Sequence, residues 1–104
     1  MTVENIFKGL PKNLENEYLN TLVSKEGIWI ERILSDGHTT AKGEWYDQNQ
    51  DEWVLVLQGS GTLVFEDGSE QTLKEGDHLL IPAHQKHRVS HTAPQTLWLA
   101  VFFN

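Results

Sequence analysis

The chain has 104 residues, 38% of them hydrophobic and 22% charged, the dimensions of one domain around one core; a collagen-like or disordered composition is excluded. Fifteen acidic residues against eight Lys and Arg give a net charge of −7, which repels a phosphate backbone and argues against nucleic acid as a partner. The absence of cysteine excludes disulfides, thiolate metal sites and thiol nucleophiles, so any metal must be held by nitrogen and oxygen.

No apolar run approaches the roughly 20 residues that span a bilayer, and the N-terminus does not read as a signal peptide. A cytoplasmic protein without a membrane partner is expected. Asn13 to Val23 predicts a short helix: Leu14, Tyr18, Leu19 and Leu22 fall at helical spacings, Asn13 can cap, and Glu15 and Glu17 suit the positive end of the dipole. Residues 1–27 thus read as an N-terminal extension carrying that helix, ended by Ser24 to Gly27, and residues 28–104 as the main body.

From Ile28 the pattern changes to strands. Ile28 to Leu34 is β-branched and aromatic, and Ser35-Asp36-Gly37 turns it. Gly43 to Asp47 is a weakly marked strand, followed by a polar connection to Asp51. Trp53 to Gln58 is strongly apolar, Gly59-Ser60-Gly61 breaks it, and Thr62 to Phe65 leads into an Asp67-Gly68 hairpin signal. Glu70 to Leu73, His78 to Ile81, His87 to Thr92 beyond a Pro82 corner, and Thr96 to Phe103 complete the set. Short strands at regular intervals predict an all-β antiparallel architecture, with sandwich and jelly roll equally compatible. Alternation places Val54, Val56, Leu80 and Val89 inside. Apolar residues on both faces of the Trp53 to Leu57 and Leu97 to Phe103 strands predict a homodimer.

Glu52 followed after six residues by Gly59, and Gly76, Pro82 and His87 at offsets of six and five, resemble the two motifs of the cupin family. The first motif in full is Gly, five residues, His-x-His, three or four residues, Glu, six residues, Gly. The second is Gly, five residues, Pro-x-Gly, two residues, His, three residues, Asn. Both fit in register over about half the chain, Asp47 to His91. The resemblance implies a small single-domain cupin, a double-stranded β-helix barrel of the jelly-roll kind.

In the family, the histidine pair and the glutamate of the first motif bind a divalent metal together with the histidine of the second. Here Tyr46 and Gln48, or Trp45 and Asp47 with the longer spacer, stand where the histidine pair belongs. His84 replaces the second motif's glycine and His91 its asparagine. Glu52 and His87 alone carry over as metal ligands. Strand alternation puts Gln48 beside Glu52, whereas Asp47 is the chemically better donor but needs a bulge to turn inward. Tyr46 and His84 are candidates for acid–base or substrate contact. His91 lies about 13 Å along the strand from His87, too far for the same ion. His38 can face in or out, and His78 reads as a structural histidine.

The resemblance therefore implies a divalent ion (Fe, Mn, Ni or Zn) at Glu52 and His87, with Gln48 or Asp47 as third donor, in a protein that acts on or binds a small molecule. The alternative is a metal-free binding or sensor module in which Glu52 and His87 stabilise each other's charge. A barrel filled by its own side chains, serving only as structure, is the third reading.

Overall fold

Runs of β-branched and aromatic residues, interrupted by glycine turns, pair into eight antiparallel strands with no helix in this computed structural model of Met1–Asn104. The strands are β1 (Tyr18–Lys25), β2 (Ile28–Ser35), β3 (Asp51–Gln58), β4 (Ser60–Phe65), β5 (Glu70–Lys74), β6 (His78–Ile81), β7 (His87–Thr92) and β8 (Thr96–Phe103). They form a five-stranded sheet in the order β1-β2-β8-β3-β6 and a three-stranded sheet in the order β5-β4-β7. The two sheets enclose a core of Val54, Val56, Leu63, Leu73, Ile81 and Trp98. At the β3–β4 turn Gly59 has φ +85°, and a Cβ there would meet the Thr96 backbone at 2.8 Å, so this turn needs glycine.

The expected helix is replaced by β1. Its hairpin with β2 pairs Lys25 with Ile28 across Glu26-Gly27, where Gly27 has a φ of 81°. A bulge between Thr21 and Val23 breaks the alternation. Leu14, Tyr18, Leu19 and Leu22 fall at helical spacings in sequence, and pairing with β2 overrides that local signal. Gly43 to Asp47 likewise forms no strand; one isolated bridge joins Tyr46 to His87, through Tyr46 N–H to His87 O at 2.8 Å and His87 N–H to Tyr46 O at 3.2 Å.

Leu80 is also a correction. It is 52% exposed, and its neighbours Leu79 and Ile81 face inward instead. The phase is set across the ladder, because Ile81 opposes Glu52 and Leu79 opposes Val54, and directly opposed residues share a face. A continuous apolar run such as His78 to Ile81 carries no phase of its own. Val54 and Val56 are buried as expected, and Val89 is half-buried beside the core.

The segment before β1 crosses the outer face of the larger sheet, held by the buried Arg32. Its guanidinium donates to Ile6 O at 2.8 Å, Lys8 O at 2.6 Å and Asn20 Oδ1 at 2.8 Å. The site-bearing loops are placed by two further bonds: His84 N–H donates to Gln48 O at 2.7 Å, and Ala83 N–H to Asp51 Oδ1 at 2.8 Å.

His84 occupies this turn with φ 64°, the left-handed region, at the position where the second motif has glycine. The backbone demand of the motif persists although the residue does not. A left-handed non-glycine residue costs about 1–2 kcal/mol, partly offset by the extra chain entropy of glycine. His84→Gly is therefore expected to raise the stability measured by denaturant unfolding by about 0.5–1 kcal/mol. A loss of stability instead would mean that the exposed His84 contact to Asp47 outweighs the strain.

Candidate functional site

Glu52 on β3 and His87 on β7, one from each sheet, point at each other across the barrel interior. His87 Nε2 lies 3.5 Å from Glu52 Oε1, within ion-pair reach and long for a hydrogen bond, and both residues are buried. The imidazole is oriented from its other side: Nδ1–H donates to Gln85 O at 2.9 Å, which leaves Nε2 aimed at the carboxylate. Tyr46, held by its bridge to the His87 backbone, sets its ring 5.6 Å from the imidazole, and Phe65 lies at 6.4 Å on the same ring.

Glu52, His87 and Tyr46 line a cavity of about 130 Å³ inside the barrel. Val54, Leu63, Ile81, Val89 and Trp98 form apolar walls, and Tyr46, Gln48, Glu17, Leu19 and Phe102 also border it. Gln48 thus reaches the cavity, from a loop and not from the expected strand. Asp47 does not: it turns the other way and meets His84 at 3.0 Å on the surface, with the two side chains 43% and 69% exposed. His84 is accordingly outside the cavity. His38 is held in a loop, its Nδ1 accepting from Asp36 N–H at 2.9 Å and its Nε2 facing Glu15 O at 3.1 Å. His91 is exposed on β7, and His78 is exposed on the outer face with its ring 5.4 Å from Trp53.

The sequence reading missed Glu31, a buried carboxylate on β2 that also lines the cavity. The signal was present in Trp29, Glu31 and Ile33, a lone acid at the centre of a period-two inward face. Glu17, read as a helix-dipole residue, borders the mouth and accepts a hydrogen bond from Ser35 Oγ at 2.7 Å.

The electrostatics follow from burial. Desolvation pushes the Glu31 carboxyl above its ordinary range, with the negative charges of Glu52 and Glu17 adding to the rise and the Trp29 indole opposing it. Desolvation and Glu17 also raise the Tyr46 phenol, which stays a neutral donor at physiological pH. For His87, burial favours the neutral ring, but Glu52 and the Gln85 carbonyl together outweigh it and raise the pKa.

A divalent ion needs several donors converging at roughly 2 Å. No group of three His, Asp or Glu side chains is arranged to hold one. Glu52 and His87 face each other, and the amide of Gln48 is the one further donor of the expected set at the cavity. These fall short of the three histidines and glutamate of the full motif, a weaker donor set for a resident metal.

The strand order, the interior site and the two motifs converge with the comparisons: the cupin-domain family profile matches residues 33–102, and the chain belongs to the cupin family. A Ralstonia eutropha JMP134 protein proposed to be a mannose-6-phosphate isomerase is similar over 100% of this chain and 99% of its own, with 37% identity and a TM-score of 0.95. A cupin superfamily protein of Desulfitobacterium hafniense DCB-2 shares the fold at TM-score 0.78 and 19% identity, over 90% of this chain and 83% of its own. The HTH-type transcriptional regulator AlkR of Acinetobacter baylyi is 31% identical over 80 residues, 65% of this chain. That match spans only 26% of the length of AlkR.

Two groups in the cavity bind protons more tightly folded than unfolded, which fixes the sign of the pH dependence. The His87 contribution is fully present below the ordinary value of 6.5 and is lost as pH rises through the raised folded value. Glu31 acts in the same direction from 4.5 upward, because ionising it inside the barrel is unfavourable. Thermal unfolding followed from pH 6 to pH 8.5 should show falling stability, with a shallower slope in Glu52→Gln. An unchanged slope in that variant would remove the pair as its cause.

Proposed function

We propose that this protein is a metal-free small-molecule-binding cupin whose barrel cavity is the binding site and whose Glu52–His87 pair is its polar anchor. The observation that carries this reading is the pair itself: a buried carboxylate and imidazole 3.5 Å apart at the wall of a mostly apolar cavity. A few convergent polar groups on apolar walls are the usual composition of a ligand site. His87 supplies an N–H toward the cavity, Glu52 and Gln48 supply acceptors, and the Tyr46 hydroxyl donates from the mouth. The similarity to a segment of a transcriptional regulator supports a sensing or binding role for such a barrel.

The outer face of the larger sheet supports assembly as a homodimer. There Trp53 stands between Leu80 and Val101, Leu55 opposes Leu99, and Ile30 opposes Val101, a continuous apolar surface.

The binding reading is tested with benzene and its small monosubstituted derivatives, about the size that a cavity near 150 Å³ admits. A compound at ten times its dissociation constant should raise the melting temperature by several degrees. It should also shift the NMR methyl signals of Val54, Leu63 and Val89. Shifts confined to the outer surface would contradict the site. Mn(II), Ni(II) or Zn(II) added to stripped protein should leave the melting temperature unchanged; a rise abolished by His87→Ala would restore the metal-binding reading.

A further inference from the structure

We infer that the barrel cavity selects a small organic cation, a protonated amine with an apolar body, and rejects anionic ligands including sugar phosphates. This names the ligand class of the site proposed above and rests on that reading. Three carboxylates, Glu17, Glu31 and Glu52, border one cavity that no lysine or arginine lines. One imidazole, His87, is the only cationic group among the lining residues, and it is already engaged with Glu52.

Glu31 is the independent observation. It is 7% exposed, its side chain reaches the cavity, and it has no ion-pair partner; the Trp29 indole is the one group of the chain that favours its charge. A carboxylate taken out of water is strongly unfavourable unless it is paired, and here the protein supplies no cation. A ligand ammonium placed between Glu31 and Glu17 would supply it, through charge-assisted hydrogen bonds. The walls agree with this occupant: Phe102 and Trp98 add aromatic surface, which attracts a cation, while Leu63 and Val89 accept an apolar body.

The same features disfavour the substrate that the name of the similar Ralstonia protein suggests. A phosphate monoester carries close to two negative charges at neutral pH. It would enter a cavity bordered by carboxylates and lacking the Arg or Lys that normally receives phosphate. A cavity of about 130 Å³ is also small for a hexose phosphate.

The test compares three ligands of nearly equal shape and different charge, benzylamine, benzyl alcohol and benzoate, by isothermal titration of the full chain at pH 7, with inorganic phosphate and mannose 6-phosphate as further arms. Benzylamine should bind about tenfold or more tighter than benzyl alcohol, as expected for one well-placed charge-assisted contact in a partly desolvated site. Benzoate and both phosphates should bind more weakly than the alcohol. In Glu31→Gln, which keeps the shape, the preference for the amine over the alcohol should shrink toward unity while the alcohol affinity is retained. Glu17→Gln, at the half-buried mouth, should reduce it partially, and serves if the Glu31 variant folds poorly. Alcohol or benzoate binding as tightly as the amine would overturn the charge selectivity but leave the binding cavity standing. Binding of none of the three would overturn both, and tight binding of mannose 6-phosphate would overturn the cation inference and favour the sugar-phosphate alternative.

Discussion

Burial of acid without matching base is the constraint on which the interior of this barrel depends. Glu52 and Glu31 are both 7% exposed, Glu17 borders the same cavity, and His87 is the single basic group that faces them. Removing one charge from water costs several kcal/mol even after relaxation, so each of these groups must be paired, neutralised by a proton, or reached by something from outside. The chain uses the first solution for Glu52, while Glu31 has no ion-pair partner and its pKa is raised by burial.

The fold supplies the means. Glu52 and Glu31 lie on strands that flank β8, opposing Phe102 and Ala100, so both carboxylates rise from one sheet on the same inward face. His87 comes from the other sheet at the end of the Pro82 to Lys86 turn, oriented by the Gln85 carbonyl. The left-handed His84 and the Ala83 bond to Asp51 shape that turn, which ties the loop of the second motif to the strand that carries Glu52. Backbone geometry at an exposed residue thereby sets the position of a buried one.

The motif offsets alone were enough to place Glu52 and His87 on a common interior, because such offsets encode strand phase and a turn of fixed length. Seven of the eight strands were legible from apolar runs and glycine turns. β1 was not, since its apolar residues fall at a helical spacing in sequence and only the neighbouring strand decides the outcome. Leu80 was misplaced for a related reason: in Leu79-Leu80-Ile81 every residue is apolar, and only the partner strand fixes which ones face inward. Glu31 was visible in the pattern and passed over because no motif pointed to it. The pairing of Asp47 with His84 on the surface, and of Gln48 with the cavity, required the three-dimensional path of the loop.

Glu52 raises the proton affinity of the buried His87, and the proposed anchor depends on that interaction. NMR titration of the imidazole nitrogens of His87, in the wild type and in Glu52→Gln, tests it directly. The wild-type ring should titrate above 6.5, and in Glu52→Gln its pKa should fall as burial is left with less to oppose it. A wild-type His87 that titrates below 6.5, or one whose pKa is indifferent to Glu52→Gln, would contradict the claim.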